Sequence, residues 1–150
     1  MKSFFILAAL LLTTALASAS YNYPCGPNNC QFGEICHTID QTCRCIPHYS
    51  CHDITLTVKK IGQWTTNGCT YTQYDVIVNN NLNRNVKQLF IGTDSTLTLR
   101  DNSSIWNVER SGDNLTLPHY QDINANASYT FGFIIIGTHQ PNLYIKAVVY

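Results

Sequence analysis

The sequence predicts an all-β protein: a two-sheet β-sandwich preceded by a small disulfide-rich segment. Three observations carry that expectation. Six of the seven cysteines fall between Cys25 and Cys51, the residues after them alternate apolar and polar with period two, and polar turns punctuate the alternation. No stretch carries a sustained helical stripe.

The N-terminus reads as a secretory leader spanning residues 1–19. Lys2 supplies the positive end, Phe4 to Leu12 the apolar run, and Ala17-Ser18-Ala19 the small-residue processing site. The run is too short to span a bilayer, and no later uninterrupted apolar stretch reaches about 18 residues. The expected location is therefore secreted and extracellular. Without Lys2 the nine Lys and Arg residues become eight, against nine Asp and Glu. A near-neutral chain with scattered charge offers no basic stripe for nucleic acid and no polybasic patch for a membrane, which points to neutral partners.

Residues 20–51 form the cysteine-rich segment, with spacing C25-x4-C30-x5-C36-x6-C43-x-C45-x5-C51. So short a stretch, with Phe32, Ile35, Ile39 and Ile46 as its only large non-tyrosine apolar residues, needs cross-links to hold its fold. Export favours disulfides over zinc, so Cys25, Cys30, Cys36, Cys43, Cys45 and Cys51 are expected to make three bridges, with the pairing left open. No metal site is expected, and His37, His48 and His52 read as ordinary polar positions. Cys69 is left over: a buried small hydrophobe, an internal bridge partner or an intermolecular one.

Residues 52–150 form the sandwich module. Ile54, Leu56 and Val58 share one strand face; on the next strand Thr72, Tyr74, Val76 and Val78 form the core face, opposed by Tyr71, Gln73, Asp75 and Ile77. Val86 to Ile91, Ser95 to Arg100, Trp106 to Glu109, Tyr129 to Ile136 and Leu143 to Tyr150 read as further strands. Turns fall at Asn79-Asn80-Asn81, Asp101-Asn102, Ser111-Gly112-Asp113 and 137–142. Asn102, Asn114 and Asn126 head N-x-S/T sequons in polar stretches expected to be exposed, and are candidates for glycosylation.

No catalytic residues are expected. Glycoside hydrolysis requires two carboxyls facing each other across a cleft, whereas most acids here lie in apparent turns. Asp75 lies on a solvated strand face, and His119 with Asp122 lacks a nucleophile. No cofactor is implied either. Binding fits better: a pyranose presents C–H faces and a hydroxyl edge, which calls for flat aromatic rings beside amide or hydroxyl groups. Trp64, Tyr71, Trp106 and Tyr120 are the candidate carbohydrate-binding residues. Trp64 and Trp106 have a competing reading as core residues, and strand alternation alone permits Trp106 to point either way. Tyr74 is assigned to the core.

The pattern W64-x3-G68-x2-Y71-x2-Y74-x-V76, followed by Val86 to Leu89, Trp106, L117-P-H-Y120, Y129-T-F-G-F-I and the terminal V148-V-Y150, resembles the carbohydrate-binding modules of family 49. These occur at the C-termini of plant cellulases of glycoside hydrolase family 9 and in secreted slime-mould proteins. The resemblance implies a β-sandwich that binds cellulose or a related β-glucan without cleaving it. Trp64, Trp106 and Tyr120 would face the glucan, with Gln63, Asn67, Tyr71 or His119 available for hydroxyl contacts. The plant pattern has tryptophan where this chain has Tyr120. The implied role is attachment or cross-linking in a cell wall, spore coat or extracellular matrix, where other matrix proteins are further possible partners. Two alternatives stand beside it: a structural coat protein making protein–protein contacts, and a small cysteine-rich ligand or inhibitor.

Overall fold

The computed structural model describes residues 22–150. The leader segment lies outside the described residues.

Twelve strands are present among the described residues: β1 (Asn22–Cys25), β2 (Asn28–Gln31), β3 (Glu34–Ile39), β4 (Thr42–Pro47), β5 (Ile54–Thr66), β6 (Cys69–Asn80), β7 (Gln88–Thr93), β8 (Ile105–Trp106), β9 (Glu109–Ser111), β10 (Asn114–Thr116), β11 (Ser128–Ile136) and β12 (Leu143–Val149). The one helical element among them is a 3-10 turn, His48–Ser50. No described helix is long and apolar enough to cross a membrane.

Two sheets face each other, one ordered β4-β3-β12-β7-β10-β9 and the other β5-β6-β11-β8. Their inner faces meet in one core. The larger sheet contributes Ile35, Leu89, Ile91, Leu115, Ile145 and Val148; the smaller contributes Ile54, Tyr74, Val76, Val78, Phe131, Phe133 and Ile135. The core face expected on β6 is the buried one: Thr72, Tyr74, Val76 and Val78 are each at most 3% exposed. All-β sandwich architecture thus follows from the period-two pattern.

The cysteine-rich segment is built into this sandwich instead of standing beside it. β3 pairs in parallel with β12, through Ala147 opposite Cys36 and Val149 opposite Thr38, and β4 extends that edge. Ile35 and Cys51 sit in the same core as Phe133. The hairpin β1–β2 forms a separate two-stranded sheet, tied on by bridges Cys25–Cys36 and Cys30–Cys45. Cys25, Cys30, Cys36 and Ala147 bury one another, with Tyr23 and Phe90 at the margin.

Two bridges form where three were expected. Cys43 and Cys51 are free thiols, Cys51 buried and Cys43 half-buried, while Cys69 is exposed and unbridged at the β5–β6 hairpin. Burial of Cys69 is thereby excluded. His37 is not an ordinary polar position either: it is 4% exposed on the inner side of β3.

Two of the expected strands also differ. Ser95 to Arg100 makes turns and a single bridge, Leu99 to Ile135, because Asp94 captures the chain: its carboxylate accepts from the Thr96 amide at 2.8 Å and its carbonyl from the Leu97 amide at 3.2 Å. The Trp106 to Glu109 stretch splits at Asn107, whose φ of 63° turns the chain from the smaller sheet into the larger. Of the sequons, Asn102 and Asn126 are exposed, whereas Asn114 lies in β10 and its side-chain oxygen accepts from Lys146 Nζ at 2.7 Å.

Candidate carbohydrate-binding face

The outer face of the smaller sheet follows from strand register, because residues directly opposite in an antiparallel pair point the same way. Trp64 lies opposite Tyr71, and Tyr71 opposite Ile136. Two residues along comes Gln73 beside Ile134; two further, Asp75 beside Gly132, and Gly132 beside Trp106. All of these alternate with Thr72, Tyr74, Phe133 and Ile135 of the core, so they point outward.

Trp64 arrives there through a β-bulge. Ile54, Leu56 and Val58 set even-numbered residues of β5 toward the core, and unbroken alternation would bury Trp64. The register instead shifts between Lys60 and Gly62, the extra residue reverses the phase, and Trp64 emerges on the outside. The strand then turns back at Asn67-Gly68, with φ of 51° and 77°, the left-handed pair that a two-residue type I′ hairpin requires. Across the hairpin the Trp64 and Tyr71 rings sit 6.1 Å apart, tilted by 38°.

Trp106 lies flat on the sheet because β11 has no side chain beneath it. A Cβ at Gly132 would stand 2.4 Å from the indole Cζ2 and 2.6 Å from Cε2. This glycine interrupts an otherwise apolar strand to admit the ring against the backbone. Both tryptophans are partly buried and lie outside the cluster of core side chains, so the competing reading of them as core residues does not hold.

The face is broad. From the Trp64 row to the Trp106 row is four residues, about 13 Å along the strands, and from β5 to β8 is three strand spacings, about 14 Å across. Between the two indoles lie Gln73, an amide donor and acceptor, the carboxylate of Asp75, and apolar Ile134 and Ile136, the last 48% exposed. Sequence reasoning had not selected these residues for the site. The glycine at 132 inside a strand was the signal that a flat group rests there.

Tyr120 occupies a different place. It is 78% exposed in the loop between β10 and β11, next to His119, whose ring stands edge-on at 5.2 Å. Its neighbour is Tyr129, whose hydroxyl donates to the Asn107 carbonyl at 2.8 Å and whose pKa is raised by burial and then by nearby Tyr120. Tyr129 is on the core face of β11, so this nearness sets Tyr120 close to the Asn107 end of β8 and not on the outer face that carries Trp106. Of the polar residues expected to assist, Gln63 lies opposite Thr72 on the other side of the sheet and accepts from Lys60 Nζ at 2.7 Å. Asn67 is spent on the hairpin turn, and exposed His119 lies 3.7 Å from Glu109.

The acids show structural duties. Asp101 accepts from Ser103 Oγ at 2.6 Å and Arg100 Nε at 2.8 Å, which holds its pKa far below the usual carboxylate range. Asp94, depressed by Thr96 and then Asn142, ties its own turn to 142. Asp122 pairs with Lys87. A general acid needs the opposite shift.

Residues 54–138 match the carbohydrate-binding domain CBM49. The chain belongs to the CBM49 family. It is also 50% identical, over 99% of its own length and 99% of theirs, to stalk-specific proteins A and B of Dictyostelium discoideum. Among solved structures, the chitin-binding domain of Chi18aC from Streptomyces coelicolor superposes with a TM-score of 0.46 at 24% identity, covering 63% of this chain and 91% of that one. A β-N-acetylglucosaminidase from Vibrio harveyi gives 0.44 at 13%, covering 63% and 18%. The CBM49 assignment makes this a carbohydrate-binding protein whose matched module is non-catalytic. The CBM49 match covers both strands of the Trp64–Tyr71 hairpin as well as Trp106, Tyr120 and Gly132.

Proposed function

We propose that the protein binds cellulose or a related β-glucan through the outer face of the smaller sheet and so fastens itself within an extracellular matrix. One observation carries the reading: two tryptophans reach the same bare sheet face by separate devices, a bulge before Trp64 and a glycine beneath Trp106. A core needs neither device. Glucose rings would stack on Trp64, Trp106 and, at the rim, Tyr120, with Tyr71 supporting Trp64; Gln73 and Asp75 would meet hydroxyls between them. Several modest contacts along one polymer add to useful affinity. The relatives' designation as stalk-specific supports a place in a stalk, where other matrix proteins can also be held.

The test is a pull-down of the secreted protein with microcrystalline cellulose. The protein is expected in the pellet, and Trp64→Ala or Trp106→Ala should each weaken binding by about 1.5–3 kcal/mol, roughly tenfold to a hundredfold, with unchanged circular dichroism. Wild-type protein remaining wholly in the supernatant while a known binder pellets would reject the reading.

A further inference from the structure

Four polar side chains converge at the end of the core where the cysteine-rich segment joins the sandwich. His37 comes from β3, Cys51 from the chain after the 3-10 turn, Asp53 from the start of β5 and Tyr150 from the end of β12. The ligand atoms of His37, Cys51 and Asp53 all lie within 4.8 Å of one another. His37 is 4% exposed and Cys51 6%. The Tyr150 ring packs 4.9 Å from that of His37.

The contacts these groups make with one another do not satisfy them. His37 Nε2 stands 3.2 Å from Asp53 Oδ2, close enough to attract electrostatically but short of full hydrogen-bond alignment, and it has no other partner. The buried Tyr150 hydroxyl also lacks one. Orphaned polar atoms this deep in a core are rare and costly. Two ligands held about 2.0–2.2 Å from one tetrahedral ion stand roughly 3.3–3.5 Å apart, near the spacing seen here. Close approach without full hydrogen-bond alignment is what two lone pairs aimed at a shared third atom produce.

We propose that His37, Cys51 and Asp53 form a buried site for a divalent transition ion of zinc type, with the Tyr150 oxygen or one water completing a tetrahedron. An imidazole, a thiolate and a carboxylate together match a borderline-soft cation and not calcium or magnesium, which take oxygen ligands. Binding would release the Cys51 thiol proton to solvent, and the backbone N–H groups of Asp53 and Ile54 are placed to hydrogen-bond the resulting sulfur. Cys51 is not poised as a nucleophile: burial raises its thiol pKa, where an activated cysteine has a lowered one. The ion would tie β3, β5 and β12 together and take the place of the third cross-link that the cysteine count suggested.

The experiment uses the full secreted protein, purified without chelator, then stripped and titrated with Zn2+ and separately with Co2+. About one equivalent of Zn2+ should be retained, the melting temperature should rise with added Zn2+, and Co2+ should give thiolate-to-metal charge-transfer absorption with tetrahedral visible bands. Cys51→Ser should abolish the charge-transfer band. Asp53→Asn, the milder change, should weaken Co2+ binding while preserving the wild-type circular dichroism of the stripped protein. Failure of the wild-type protein to bind either ion stoichiometrically, or peptide mapping that finds Cys51 in a disulfide, overturns the proposal. Cellulose binding, on the outer face of β5, β6 and β8, is scored separately and stands or falls by its own pull-down.

Discussion

The two outer faces of the sandwich treat the same problem in opposite ways. On the larger sheet, Cys36 and Cys45 point outward, and the β1–β2 hairpin is bolted over them by two disulfides. On the smaller sheet, two tryptophans, a tyrosine and two isoleucines point outward and no described element covers them. Each face even carries a strand glycine with an aromatic laid across it: Gly92, where a Cβ would stand 2.4 Å from Tyr144 Cζ, and Gly132, where it would stand 2.4 Å from Trp106 Cζ2. Tyr144 is roofed on one side by Phe32, 6.0 Å away edge-on. A chain that covers one apolar face and leaves the other bare has reserved the bare one for something outside itself.

The largest effect should come from unbolting the covered face. Cys30→Ala/Cys45→Ala opens a loop of 15 residues, for which the loss is about 3 kcal/mol. Urea unfolding should show it as a lower midpoint, while the cellulose affinity of the folded fraction stays put. A matching loss of affinity would show that the two faces are not independent.

The glycines offer a matched pair of about equal steric severity. Gly92→Ala and Gly132→Ala each force a ring from its seat at roughly 1–3 kcal/mol. Both should unfold more easily, but only Gly132→Ala should also weaken cellulose binding, because only Trp106 is there to be displaced from the glucan. Equal binding by both variants would remove Trp106 from the site.

How far the sequence disclosed this arrangement depends on phase. Where alternation runs unbroken, as from Thr72 to Val78, the inner and outer residues were legible directly. Trp64 was not, because the bulge at Ile61 reverses the count, and only the glycine at 62 hints at it. Trp106 was ambiguous because two residues of strand are too few to set a period, and Asn107 then sends the chain to the other sheet. How the cysteine-rich segment joins the sandwich was not legible, since its joining strand, β3, pairs with the far C-terminal β12, a contact that no local pattern reveals. His37 looked ordinary for the same reason: Cys51, Asp53 and Tyr150 surround it only after that pairing forms.

The smallest effect should lie at the rim. Tyr120 is an exposed residue of the loop between β10 and β11, packed edge-on by His119, so stacking there must fix an exposed side chain as well as the sugar, and the net gain is reduced by that ordering. Tyr120→Ala should cost about 1 kcal/mol, roughly fivefold in affinity, with stability unchanged. Tyr120→Trp should tighten binding, since a larger ring covers more of the pyranose face. If Tyr120→Ala instead abolished binding while Trp64→Ala and Trp106→Ala spared it, the centre of recognition would be the loop edge, and the bare sheet face would need another occupant.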